Sequence, residues 1–237
     1  MLANINYNNI LFLDIETVPQ CSKYEELTES LAELWNIKCS TFRKDMEEET
    51  PAGIYRRAGI YAEFGKIICI SCGVFAFDNK FRIKSFHGHD EKKILIDFSE
   101  MLQKSFCTPD KFLCAHNGKE FDFPFICRRM LINQLPLPVI LNIAGKKPWE
   151  VAHLDTLELW KFGDYKSFTS LVLLATTFGI STPKDDIDGS SVWQVYWNEN
   201  NLGRIVTYCQ KDVITVAQIF RKFRCEELIN AKDVIYT

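Results

Sequence analysis

The sequence predicts an α/β fold, a mixed five-stranded sheet flanked by helices, and three observations carry that expectation. Short apolar runs alternate with stretches of helical period. Two strand-like runs are separated only by a turn. The first run, residues 10–13, is apolar at consecutive positions, the pattern of a central strand buried on both faces. At 237 residues, 47% hydrophobic and 25% charged, the chain suits one sizeable domain, taken as residues 1–237.

Taken in order, Ile10, Leu11, Phe12 and Leu13 end at Asp14, which places the first carboxylates at the strand's carboxyl end. Residues 21–65 interpose a charged stretch of helical character, 24–49 followed by Arg56 and Arg57. Its Leu27, Leu31, Leu34, Trp35 and Phe42 are too many apolar residues for a linker, so it reads as a helical insertion leaning on the site. Residues 66–77 and 81–86 form a hairpin across Asp78, Asn79 and Lys80. A helix over 91–104 follows, with Ile94, Leu95, Phe98, Met101 and Leu102 at helical spacing and Asp90 as its cap. A strand over 111–115, a helix over 122–132 and a short strand over 151–154 complete the sheet. Ser167 opens a helix with Phe168, Leu171, Val172, Ala175 and Phe178 on its apolar face and Gly179 just past its end. The last helix, 202–223, carries the stripe Leu202, Val206, Cys209, Val213, Val216 and Phe220.

A net charge of −3 argues against a protein that grips duplex DNA through a broad basic face. No apolar stretch approaches the ~20 residues that cross a bilayer, and the polar N-terminus has no basic n-region, so a soluble cytoplasmic protein without membrane contact is expected. The nine cysteines are odd in number and sit mostly in apolar runs, as small buried thiols do in a reducing compartment. Cys69 and Cys72 are spaced as a C-x-x-C, but on a strand their side chains leave opposite faces and no second pair completes a zinc site.

Four acidic residues stand out. Asp14 and Glu16, in Leu11-Phe12-Leu13-Asp14-Ile15-Glu16-Thr17, are separated by one residue and in extended chain share a face. Asp122 ends Asn117-Gly118-Lys119-Glu120-Phe121-Asp122 and precedes Phe123 and Pro124. Proline in a first turn marks a helix start, with Asp122 at or beside the cap. Tyr208 and Asp212 are four apart on the last helix, on one face, flanking the apolar stripe in line with Ile205 and Ile219. A carboxylate there costs desolvation unless it is paired or holds a cation. Singly, each motif also fits a commoner role: a strand ending in a polar turn, a helix cap, a solvated helix flank. An Asp/Glu set without His suits Mg²⁺ or Mn²⁺, and two such ions stabilise both the entering and departing oxygens of a phosphodiester.

Together and in this order, the motifs resemble the Asp-x-Glu, Asn-x-x-x-Phe-Asp and Tyr-x-x-x-Asp signatures of the DEDD (DnaQ-like) superfamily of 3′→5′ exonucleases. Tyr208 lies four before Asp212, and Thr207 occupies the position where the other branch carries histidine. The resemblance therefore implies the tyrosine (DEDDy) subclass. Its nearest likeness is to stand-alone bacterial exonucleases related to the proofreading domain of family B DNA polymerases. It further implies a ribonuclease H-like fold and two divalent ions held by Asp14, Glu16, Asp122 and Asp212. Tyr208 would orient the water, and Thr17, Asn117 and Phe121 would place the terminal nucleotide. The implied substrate is single-stranded nucleic acid at its 3′ end, with DNA favoured, an exoribonuclease as the near rival and a catalytically silent binding module as the distant one. Repair or replication proteins are the expected partners in trans, and a monomer is expected.

Other polar groups read as ordinary: His87-Gly88-His89 as a solvated turn, Asp155 as a strand end capping a helix, and Asp185, Asp186 and Asp188 as only superficially like a calcium loop. Arg128, Arg129, Lys146 and Lys147 read as solvated surface.

Overall fold

The computed structural model describes residues 2–42, 50–76, 78, 80–164, 166–181 and 187–237. The C-terminal end of the expected helical stretch of the insertion (43–49), two hairpin positions (Phe77 and Asn79) and two aspartates of the loop (Asp185 and Asp186) lie outside the described residues. The elements are β1 (Ile10–Pro19), α1 (Glu29–Cys39), β2 (Gly65–Phe75), β3 (Phe81–His87), α2 (Glu91–Ser105), β4 (Phe112–Ala115) and α3 (Asp122–Ile132). They continue with β5 (Leu154–Asp155), α4 (Thr156–Lys161), α5 (Leu171–Thr177), α6 (Val192–Trp197), α7 (Leu202–Phe223) and β6 (Val234–Tyr236).

The sheet order is β5-β4-β1-β2-β3-β6. β1, β2 and β3 run antiparallel in succession, while β4 runs parallel to β1 and β5 parallel to β4, the ribonuclease H-like arrangement. The sheet has six strands rather than five, because β6 adds in parallel to β3 at the far edge. Gln218 of α7 sets up that return by exchanging two hydrogen bonds with the backbone of Ile229, 2.7 and 3.0 Å long. A three-residue strand held by a remote glutamine leaves no local pattern in the sequence.

Strand alternation sorts β1 onto two faces. Leu11, Leu13 and Ile15 point into the cluster made with Leu95 and Phe98 of α2 and Phe123 and Ile126 of α3. Ile10 and Phe12 point to the opposite side, where Val213, Val216 and Phe220 of α7 cover them. α7 lies close to β2 because Gly73 has no Cβ; a methyl there would strike the Phe81 ring and Val213. Burying this apolar stripe contributes about 1.5–3 kcal/mol per large side chain, so α7 is fixed by its underside.

The insertion has a small core of its own. Trp35 of α1 is fully buried among Ile54, Tyr55, Ala58 and Phe64, and its Nε1–H donates to the Pro51 carbonyl at 2.8 Å. Leu34, one of the apolar residues that mark the insertion as more than a linker, is 54% exposed. The helix expected from Ser167 begins later, at Leu171, with Ser170 accepting from the Leu173 amide. Phe168 and Val172 consequently face outward, at 66% and 61% exposure, while Gly179 takes the left-handed φ of 65° foreseen for it.

Arg129 is buried, not on the surface. It forks onto Glu91 through two hydrogen bonds of 2.8 and 2.6 Å and donates to the Ala62 carbonyl at 2.7 Å. Glu91 in turn accepts from the Ile67 amide at 2.7 Å, so the pair ties α2 and α3 to the start of β2. All nine cysteines are free thiols; Cys69, Cys72, Cys114 and Cys209 are buried. Among the described residues, no helix is long and apolar enough to cross a membrane.

Candidate active site

Asp14 and Glu16 continue the side of β1 begun by Ile10 and Phe12, and therefore face α7 rather than the α2 and α3 side. Opposite them on β2 stand Ser71 and Cys69, respectively. Small residues there leave the space under α7 to the carboxylates. Glu16 is 6% exposed. One ligand atom from each of Asp14, Glu16 and Cys209 lies within 4.8 Å of the others. The Cys209 thiol donates to the Asp14 backbone carbonyl at 3.4 Å, pinning α7 to the strand at this level.

Tyr208 and Asp212, about one turn apart on α7, project toward the same place, and the Tyr208 hydroxyl hydrogen-bonds Asp212. Asp14, Ile15, Glu16, Thr17, Phe121, Tyr208 and Asp212 together line a cleft of about 880 Å³. Asp122 stands behind them. It is the first residue of α3, beside the cap position held by Phe121, and is 4% exposed. Its Oδ1 accepts from the Ile15 amide at 3.2 Å.

The electrostatics are those of crowded carboxylates. Burial, followed by the charges of Glu16, Asp212 and Asp122, pushes the Asp14 carboxyl well above the usual carboxylate range. Burial and then Asp212 do the same to Glu16. Asp122 is pushed up to about 7, chiefly by burial, against the lowering effect of the amides it accepts from. Tyr208 is raised by burial and then by Asp212, Glu16 and Asp14, so its hydroxyl keeps its proton. Hard oxygen donors that repel one another in a partly dry cleft are a donor set that divalent cations fit, because a cation removes the repulsion that burial magnifies.

Of the residues expected to place a nucleotide, Thr17 and Phe121 line the cleft and Asn117 does not. Asn117 sits in the loop before α3 with φ of 62°. Its amide donates to Asp155 Oδ1 at 2.9 Å, and the Lys119 amide to Asp155 Oδ2 at 3.0 Å. Asp155 Oδ1 also accepts from the Leu157 and Glu158 amides, at 2.9 and 3.3 Å, so it caps α4 as expected and anchors this loop besides.

Sequence reasoning did not place Arg56, Arg57, Gly59 and Ile60 of the insertion, or Gly189, Ser190, Trp193 and Gln194 at α6, which line the rest of the cleft. The adjacent arginines were the available signal. Nor did it single out Cys209, which looked like plain stripe. Away from the cleft, His89 Nδ1 is 2.9 Å from the Tyr196 hydroxyl, and Asp188 accepts from the Ser190 and Ser191 amides at 2.8 and 3.1 Å, closing a turn on itself.

A family model described as a predicted 3′-5′ exonuclease related to the exonuclease domain of PolB matches residues 60–231. That span holds Asp122, Tyr208 and Asp212 and begins after Asp14 and Glu16, which β1 carries. No curated protein matches the chain significantly. A solved structure of the family B DNA polymerase from the hyperthermophilic archaeon Pyrobaculum calidifontis is similar over 88% of this chain, at 15% identity and a TM-score of 0.49. The match covers 24% of that polymerase, so the chain spans about a quarter of its length.

Proposed function

The chain belongs to the family of predicted 3′-5′ exonucleases related to the exonuclease domain of PolB, and from that premise we propose a metal-dependent 3′→5′ exonuclease of the tyrosine subclass. It acts on single-stranded nucleic acid, DNA by preference, and releases nucleoside 5′-monophosphates in the cytoplasm. The observation that carries this reading is the meeting of Asp14 and Glu16, from the first strand, with Tyr208 and Asp212, from the last long helix, in one cleft.

Asp14, Glu16 and Asp212 would hold two divalent cations, Mg²⁺ or Mn²⁺, with Asp122 acting from behind β1. Bound there, the cations supply charge neutralisation for the entering and departing oxygens of the phosphodiester. The chain's own residues do the rest. Tyr208, kept protonated, offers a fixed hydroxyl to orient the attacking water in line with the bond that breaks. Phe121 and Thr17 on the cleft wall position the terminal nucleotide, and the burial of Glu16, 6% exposed, keeps bulk water from its carboxylate.

The test is incubation of the purified protein with 3′-labelled and 5′-labelled DNA and RNA oligonucleotides in Mg²⁺, Mn²⁺ or EDTA. Expected are immediate mononucleotide release from the 3′ label and a shrinking ladder from the 5′ label, both abolished by EDTA and by Asp14→Ala or Asp212→Ala. Faster RNA degradation would make the protein an exoribonuclease. Binding without cleavage in either metal would make it a silent module, and undiminished cleavage in EDTA would remove the metal site.

A further inference from the structure

The insertion between β1 and β2 is built into the cleft. Its turn Tyr55–Ile60 buries Tyr55, Ala58 and Gly59 and leaves Arg56 and Arg57 exposed. Gly59 packs so closely on β1 that an added Cβ would lie 3.0 Å from the Val18 Cα and carbonyl carbon. Val18 is two residues beyond Glu16, so the arginines are held at a fixed offset from the carboxylates by backbone packing, not by a loose arm. Arg57 additionally has its guanidinium carbon 6.0 Å from the centre of the Phe42 ring.

Among the described residues lining the cleft, Arg56 and Arg57 are the only cations, set against Asp14, Glu16 and Asp212. A polyanionic strand approaching such carboxylates is repelled unless fixed positive charge meets it at the rim. The same lining holds the aromatic rings of Phe121, Trp193 and Tyr208. The Trp193 Nε1–H is buried, with no hydrogen-bond partner among the described residues. Arginines beside aromatic surfaces are what a single strand uses: the guanidinium forks pair phosphate oxygens and the rings stack bases.

We propose that Arg56 and Arg57 form the phosphate-binding lip of the cleft and hold the sugar–phosphate backbone of the single strand on the 5′ side of the bond that is cut. The proposal rests on the exonuclease reading of the site and assigns the insertion a substrate-binding role.

The experiment compares wild type with Arg56→Gln, Arg57→Gln and the double variant on two substrates. One is a single-stranded oligonucleotide; the other is thymidine 5′-monophosphate p-nitrophenyl ester, which has no backbone 5′ to the scissile bond. Both arginines are exposed, so the variants should melt as wild type does. The double variant should lose about 10–100-fold in kcat/KM on the oligonucleotide, mostly through KM, and at least tenfold less on the ester. The slope of log kcat/KM against log salt should become shallower by about 0.7 for each arginine removed. Arg128→Gln, an exposed cation outside the cleft, should leave that slope in place.

Equal losses on both substrates, or an equal slope change with Arg128→Gln, would overturn the lip. If wild type cleaves neither substrate, the exonuclease reading fails instead, and fluorescence anisotropy with a labelled single strand still decides the arginines. A Kd for the double variant equal to that of wild type overturns the proposal; a weaker one upholds it.

Discussion

The amide of Ile15, the residue between Asp14 and Glu16, donates a hydrogen bond to Oδ1 of Asp122, 3.2 Å away and 107 positions later in the chain. The bond ties the carboxyl end of β1 to the first turn of α3. It makes Asp122 a brace for the two carboxylates as well as a contributor to their field. Substituting Asp122→Asn keeps an oxygen acceptor for Ile15 while removing one charge from a crowded set. Asn should therefore melt no lower than wild type in metal-free buffer, whereas Asp122→Ala leaves a buried amide unpaired and should cost about 1–3 kcal/mol. Both should lower exonuclease turnover by about 10²-fold or more, on the scale of other electrostatic contributors to phosphoryl chemistry. Urea unfolding and a gel assay together separate the brace from the charge; wild-type turnover in Asn would leave Asp122 with only the structural role.

A second brace acts on the loop before α3. Asp155, 3% exposed, accepts the amides of Asn117, Leu157 and Glu158 on Oδ1 and that of Lys119 on Oδ2. Asp155→Ala strands all of these donors and should destabilise the protein by at least about 3 kcal/mol. Asp155→Asn loses only the Lys119 bond, because its amide nitrogen would face that N–H, and should cost about 1–2 kcal/mol. The ordering of the two variants in urea midpoints checks the assignment. Equal cost would mean that the cap on α4, and not the loop, carries the energy.

What could be read from the sequence follows how local each cause is. Ile10 to Leu13, the hairpin, α2 and α3 come from periodicity and turn residues within a few positions, and α3 begins and ends where Asp122, Pro124 and the apolar spacing put it. The face shared by Asp14 and Glu16 follows from the two-residue repeat alone. The failures are tertiary. Arg129 reads as surface beside Arg128, but its partner Glu91 lies 38 positions earlier. β6 exists because Gln218 holds Ile229. Arg56 and Arg57 read as charge on an insertion of unknown purpose until Gly59 packs on Val18 and brings them to the cleft.

Tyr208 is set apart from the proposed metal ligands by its chemistry: its pKa is driven up by burial and by three acidic neighbours, so it is a hydrogen-bond donor at any working pH. Tyr208→Phe keeps the ring that packs beside Ile205 and α6 and removes only the hydroxyl. Turnover should fall by about 10²-fold, with Mn²⁺ affinity changed far less, because the lost group orients water rather than holding the ion. Single-turnover rates paired with calorimetric Mn²⁺ titration measure both. A parallel loss of affinity and rate would make the Tyr208–Asp212 bond, and not the water, the reason for the tyrosine.

His153 links the site's scaffold to pH. Its Nδ1 accepts from the Leu113 amide of β4 at 3.3 Å, so its Nε2–H donates to the Ile140 carbonyl, 2.9 Å away. Burial, above all, lowers this imidazole to about 4. The folded value thus lies below the unfolded one, near 6.5. Above that value neither state is protonated and the group has no pH effect. Between 6.5 and 4 the unfolded chain takes up a proton that the folded chain refuses, so stability is lost as pH falls, by up to about 3 kcal/mol at ~1.4 kcal/mol per unit. The raised carboxylates Asp14 and Glu16 act in the opposite direction, which masks the effect in wild type alone. His153→Gln offers an acceptor and a donor without titrating. Urea unfolding of both proteins at a series of pH values from 7.5 to 4.5 should show the wild type losing stability relative to the variant as acid is added, with the gap opening below pH 6.5. A gap constant across the series would mean that His153 titrates alike in both states and that its bonds to Leu113 and Ile140 are not held in the neutral form.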